Sequence, residues 1–168
     1  TNYNHYNASR LPAGYLEKFG KNFIFVSGDG KIVLFDKNLD LISEINSNLK
    51  KIMQDQRPPK GWYSLRDVTA DNENSKKFYI SYYKRCDENK WKMSILKGEI
   101  STFEAKNIIF EDIDPFENNH CVSKPNSTHS GGRILNYDNE NLLVTVGDWL
   151  MDLAQDDSSI YGKVILVN

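Results

Sequence analysis

Apolar positions along this chain fall in short runs. Residues 23–27 (FIFVS) and 32–35 (IVLF) are built from β-branched and aromatic side chains, and residues 39–45 (LDLISEI) alternate as a half-buried strand does. Between the first two runs lies Gly28-Asp29-Gly30, which reads as a tight hairpin turn because glycine accepts positive φ. Further strands are predicted over 78–83 (FYISYY), 91–97 (WKMSILK), 107–110 (NIIF), 133–136 (RILN), 142–146 (LLVTV) and 163–167 (KVILV). Segment 46–56 has helix-forming residues but a weak apolar face, and reads as a short helix or an ordered loop. Arg57-Pro58-Pro59-Lys60-Gly61 is a break. Residues 111–130 form a polar, proline-containing connection, longer than loops usually run without a purpose. About eight to ten short strands with almost no helix make an all-β pattern. Periodicity alone does not choose among a sandwich, a barrel and a propeller.

Composition narrows the function classes. The 168 residues allow one modest domain with a core. With 21 basic against 23 acidic residues, net charge −2, there is no electrostatic footprint for nucleic acid. Lys50 and Lys51 are only a pair, read as part of a solvated face. No apolar run approaches the roughly 20 residues that span a bilayer, so no membrane span is predicted. Thr1 is followed by no charged and then apolar leader, so the sequence as it stands shows no signal peptide. Cys86 and Cys121 are either two unrelated buried thiols or one disulfide, the latter implying an oxidising compartment. A zinc site would need His120 and His129 as well, and the spacing fits no common zinc pattern. Asn7-Ala8-Ser9 and Asn126-Ser127-Thr128 fit the glycosylation sequon, a short pattern that chance also produces.

Candidate chemistry concentrates in residues 127–168, STHSGGRILNYDNENLLVTVGDWLMDLAQDDSSIYGKVILVN. If 133–136 and 142–146 form a hairpin turning between Asn139 and Glu140, Gly131 lies across from Asp148 and His129 just beyond, at the same end. Gly131 and Gly132 would leave open space above the backbone there, where a flat ligand could approach. A carboxylate beside a histidine raises its basicity and fixes its tautomer, which suits a general base taking a proton from an alcohol. From the residues alone, the plainer reading is a surface histidine at a strand start and an aspartate closing a turn.

The ordered elements His129, Gly131-Gly132-Arg133, Thr145-Val146-Gly147-Asp148, Ala154-Gln155-Asp156 and Gly162-Lys163-Val164 resemble the signature of the glucose/sorbosone dehydrogenase family, the soluble PQQ-dependent sugar dehydrogenases. Upstream, VSGDGKIVLFD resembles the first-blade hairpin and SLRDVTADNENSKKFYISYYKR the second-blade strand pair, so the resemblance runs from about residue 14 to 168. It implies a partial β-propeller, about three blades of a six-bladed ring, assigned to residues 14–56, 57–110 and 127–168, the last incomplete.

The resemblance further implies a parent protein that oxidises a sugar hydroxyl by hydride transfer to PQQ, with Ca²⁺ as companion ion and an external electron acceptor. His129 would be the general base, Asp148 its orienting carboxylate, Arg133 and Gln155 groups on the substrate side or behind it, and Gly131 and Gly132 the cofactor's neighbours. Cys86 and Cys121, which flank the strands of one inferred blade, would form a disulfide in a periplasmic or secreted protein. Where the family has a Gly-rich entry to the second blade, this chain has Gly61-Trp62-Tyr63-Ser64. The basic residues that clamp PQQ in the family come from later blades, so this chain alone is expected to be inactive. Two alternatives stand beside this reading: a non-catalytic propeller that binds a protein or glycan partner, and a complete small β-domain with a closed sheet.

Overall fold

The computed structural model describes residues 14–56, 64–71, 76–100, 107–123, 129–138 and 140–168. In chain order come β1 (Gly14–Phe19), β2 (Asn22–Ser27), β3 (Ile32–Phe35), β4 (Leu41–Ser47), the helix α1 (Leu49–Asp55), β5 (Leu65–Ala70), β6 (Lys77–Arg85), β7 (Lys90–Glu99), β8 (Asn107–Ile108), β9 (Phe110–Asp112), β10 (Val122–Ser123), β11 (Gly131–Asn136), β12 (Leu142–Val146) and β13 (Lys163–Val167). Both sequons, the break at 57–61 and Trp62-Tyr63 lie outside the described residues.

The strands form three sheets. The first is the antiparallel order β1-β2-β3-β4, extended by β8 in parallel with β4. The second is β5-β6-β7, with β9 and β10 both pairing the far side of β7. The third is β11-β12-β13. The leading strands β1, β5 and β11 lie side by side with β5 in the middle. The contacts Arg66 to Ser130, Asp67 to Ile134 and Asp71 to Asn136 ascend together, so β5 and β11 run in the same direction. Among the described residues, three sheets fan from adjacent leading strands and close no barrel, which makes a partial β-propeller, as expected.

Two expectations need correction. The connection 111–130 is not plain loop, because it supplies most of β9 and all of β10, two pieces of one interrupted outer strand. The second sheet therefore reaches Ser123 rather than ending at residue 110, while β8 leaves it to pair with the first. Asn48 explains the crossing: its side-chain amide donates to Phe110 O and accepts from Phe110 N, both at 2.8 Å, so one asparagine mimics a strand partner. Segment 46–56 resolves into the last residues of β4 followed by the short helix α1.

Burial differs between the sheets. In the end sheets it alternates, as in β2, β3 and β12, so one face is covered and the other is not. In the middle sheet, β5, β6 and β7 carry unbroken buried runs, because both faces are covered. One core, including Phe19, Ile24, Leu34, Phe78 and Ile80, lies between the first and second sheets, and another, including Tyr83, Trp91, Ile134, Val144 and Trp149, between the second and third.

The register lines up Leu16, Phe25 and Val33 on the outward face of the first sheet, and Leu135, Leu143 and Leu166 on that of the third. Leu16, Leu135, Val164 and Leu166 are exposed. Such faces, with the edge of β13, favour association. In isolation, the 168-residue chain is expected to self-associate with rising concentration in sedimentation velocity. A monodisperse monomer at high concentration would contradict this.

Cys86, just after β6, and Cys121, just before β10, form a disulfide with Cα atoms 6.3 Å apart. It ties the detached outer-strand piece back to the sheet. The separation of 35 residues gives a stabilisation of about 3–4 kcal/mol in the chain-entropy model. Cys86→Ser is expected to lower unfolding free energy by about that amount in urea titrations, with thiol titration of the unreduced parent finding no free cysteine. An unchanged urea midpoint would show that other contacts, such as the ion pairs of Lys84 and Lys92 with Asp112 and Asp114, hold the outer strand without it.

Candidate functional site

The site is built where β11 begins and β12 ends. Register runs Asn136↔Leu142, Leu135↔Leu143 and Ile134↔Val144, then shifts, so Gly131 faces Val146 and not Asp148 as expected. The hairpin turns earlier than expected, so the unshifted ladder would set Gly131 opposite Gly147, and a bulge between Gly131 and Ile134, where the Arg133 amide donates to Thr145 Oγ1 at 3.0 Å, moves it one residue further.

His129 and Asp148 nevertheless end at the same rim. Beyond the ladder, the Gly147 amide donates to Ser130 O at 2.9 Å and the Trp149 amide to His129 O at 3.1 Å. His129 Nδ1 stands 3.9 Å from Asp148 Oδ1, with side-chain exposures of 48% and 34%. This is ion-pair range and longer than a hydrogen bond. Asp148 Oδ1 also accepts the Leu150 amide at 3.1 Å, which fixes the carboxylate's direction.

Close backbone approach makes this possible. A Cβ at Gly147 would lie 1.9 Å from His129 O, a distance no side chain survives. Trp149 and Leu150 that follow sit at φ 55° and 59°, left-handed values that are costly for bulky residues. Trp149 pays for the strain by burial: its indole Nε1–H donates to Ser130 O at 3.3 Å, and its ring meets Tyr83 edge-on at 4.7 Å and Tyr161 at 5.3 Å.

The glycine pair does not leave the open space expected above the backbone at Gly131 and Gly132. A Cβ at Gly132 would come within 2.5 Å of Arg66 Cβ, and one at Gly131 within 2.6 Å of the Gly147 amide nitrogen. The room is taken by Arg66 and by the neighbouring strand. Gly132, at φ 97°, lets β11 press against β5, with its carbonyl accepting Ser81 Oγ–H.

Arg133 extends toward the leading strands with its side chain 76% exposed, and its Nη1 lies 3.3 Å from Asp67 Oδ1. Asp67 Oδ2 accepts the Ile134 amide at 3.2 Å. Together with Tyr15 and Glu17 these residues line a cleft of about 400 Å³ between β1, β5 and β11. Burial raises the Asp67 and Glu17 carboxyls above the ordinary carboxylate range, and raises the Tyr15 phenol as well. Gln155 is exposed. Its motif organises a loop, in which Asp156 Oδ1 accepts the Ser158 amide and hydroxyl while Lys163 Nζ donates to the carbonyls of Ala154 and Asp156. Arg66, Ser130 and Trp149 were not picked out in the sequence. The adjacent charges Arg66-Asp67 inside the run LRDVTA are the signal that could have marked a buried polar strand.

No protein-family model matches the sequence, and no curated protein matches it. Solved structures do. A glucose dehydrogenase superposes with a TM-score of 0.67 at 16% identity, over 92% of this chain and 47% of that one. The soluble aldose sugar dehydrogenase of Escherichia coli, in its apo form, gives 0.66 at 18% identity, over 91% and 43%. A further glucose dehydrogenase gives 0.66 at 17% identity, over 93% and 44%. The chain has the fold of these sugar dehydrogenases. It spans less than half of their length.

Within this sugar-dehydrogenase-like fold, the backbone around His129 tests the site's construction. Gly147→Ala is expected to force His129 away from Asp148 and to destabilise the chain by about 1–3 kcal/mol, typical of overpacking. Thermal unfolding, together with the loss of slow exchange at the Trp149 indole N–H, would read it. Unchanged stability and exchange would mean that the two segments are not in contact.

Proposed function

We propose that this chain is the base-bearing part of a sugar dehydrogenase-like propeller, in which His129 accepts the proton of a sugar hydroxyl. The observation that carries the reading is the 3.9 Å approach of His129 Nδ1 to Asp148 Oδ1 at an accessible rim. With Asp148 holding the proton on Nδ1, Nε2 is left as the acceptor and the imidazolium formed is stabilised. Oxidation of an alcohol carbon removes a hydride from carbon, which a quinone acceptor held outside these three sheets would take, and a proton from oxygen, which these residues would take. Arg133, exposed beside Asp67, would be available to a sugar hydroxyl. A periplasmic or secreted location agrees with the disulfide.

The described residues assemble no complete site for PQQ or Ca²⁺. The glycine positions meant to face the quinone are filled, and Arg133 is paired with an aspartate. Among the described residues, no three of His, Cys, Asp or Glu converge on a metal position. No step is therefore assigned to either group within these three sheets, and the groups that would hold a cofactor are expected outside them. The filled space above Gly132 also favours a second reading, a non-catalytic propeller that binds a protein or glycan.

The test uses the full-length protein supplied with PQQ and Ca²⁺. His129→Ala is expected to lower kcat for sugar oxidation by about 10²–10⁴-fold with little change in PQQ binding, and Asp148→Asn to lower it less. Undiminished oxidation in His129→Ala would overturn the assignment. A full-length protein that neither binds PQQ nor oxidises sugars would favour the binding role.

A further inference from the structure

We infer that Arg66 is a positioning residue for His129, acting through Ser130. Arg66 lies on the middle sheet and is 8% exposed. Its stem runs along Gly132, close enough that a Cβ there would meet Cβ, Cγ and Cδ at 2.5, 2.8 and 3.3 Å. Its guanidinium carbon stands 4.5 Å from the centre of the Tyr83 ring, and Nη1 donates to Ser130 Oγ at 3.3 Å. Ser130 is itself buried, and its carbonyl receives both the Gly147 amide and the Trp149 indole N–H. Trp149 packs edge-on against the same Tyr83.

Arg66, Ser130, Trp149 and Tyr83 thus close a ring of contacts. His129 is the residue immediately before Ser130, and its carbonyl receives the Trp149 amide. Its imidazole is half exposed, so the direction of the ring depends on how firmly the Ser130 backbone is held. A guanidinium suits this task because one planar group can stack on an aromatic ring and donate in its own plane at once, which an ammonium cannot. In the positioning role, the hydrogen bond to Ser130 keeps the His129 ring facing Asp148. In a merely space-filling role, the stem alone would suffice.

The inference rests on His129 being the base, but its test does not need activity. In the full-length protein, ¹⁵N NMR of the His129 ring reads the balance of Nδ1–H and Nε2–H tautomers, and hydrogen exchange reads the Gly147 amide and the Trp149 indole. The wild type is expected to show a dominant Nδ1–H tautomer. Arg66→Met, which keeps the stem, should mix the tautomers and speed both exchanges about tenfold or more, the scale of one lost charged hydrogen bond. In Arg66→Ala, millimolar guanidinium should restore the tautomer balance, whereas urea should not. Ser130→Ala keeps Arg66 on Tyr83 and serves if the Arg66 variants do not fold; it should mix the tautomers as Arg66→Met does. Unchanged tautomers in Arg66→Met, or in Ser130→Ala, would overturn the inference. Loss of activity in His129→Ala with no effect of Arg66 on the tautomer would fault the positioning role and leave the base intact. The reverse outcome would fault the base alone.

Discussion

The middle sheet is covered on both faces, and the rest of the structure answers that constraint. A strand buried on two sides has no solvent face on which to place polar side chains, yet β5, β6 and β7 carry Arg66, Asp67, Thr69, Ser81, Lys92 and Ser94, all buried. Leaving a buried charge unpaired costs several kcal/mol, so each needs a partner close by. Lys92, 1% exposed, lies 2.8 Å from Asp114 and donates to Phe116 O at 2.6 Å, while Lys84 bridges Asp112 and Asp114 at 2.6 and 2.5 Å. Burial alone would raise the Asp114 carboxyl, but the two lysines outweigh it and hold the group below the usual carboxylate range. Because these acids belong to the segment that begins with β9, pairing the charges of β6 and β7 also fixes the course of the outer strand. The disulfide holds its other piece.

On the opposite side of the same sheet, the polar groups of β5 meet the third sheet. Asp67 takes the Ile134 amide that the bulge in β11 turns toward it, and Arg66 takes Ser130. The bulge that displaces the expected register is therefore not a local irregularity: it lets one strand satisfy an aspartate from its neighbouring sheet. The rim carrying His129 and Asp148 is a consequence of the way two sheets settle their polar groups.

How much of this is legible in the sequence depends on where each strand lies. Strands β2, β3, β12 and β13 read correctly because each presents a clear apolar run or alternation, and 163–167 coincides with β13. The leading strands β1 and β5 escape periodicity because their side chains face neighbouring leading strands and a cleft, where GYLEKF and LRDVTA mix charge with apolar groups. The conjunction of His129 with Asp148 is visible through ordered motifs, although the expected pairing is off by two residues. A bulge set by the Thr145 hydroxyl has no local sequence signature. The glycines mislead for a different reason. Sequence shows that a side chain is missing at 132 and 147, but not what fills its place, and here it is Arg66 and the His129 backbone.

The strain at residues 149 and 150 extends the argument to the candidate site's stability. Two consecutive left-handed residues, neither glycine, cost of order 1–3 kcal/mol each, which contacts beyond their own loop help to offset. The offset comes from the Trp149 ring, held between Tyr83 of the middle sheet and Tyr161 in the turn before β13 and bonded to Ser130. The loop can hold Asp148 toward His129 only while the second and third sheets are packed together. Partial separation of the sheets would release the tryptophan, relax the backbone and part the two side chains in one event. In this fold the precision of the rim is a property of the sheet interface, and the buried arginine at its centre belongs to both.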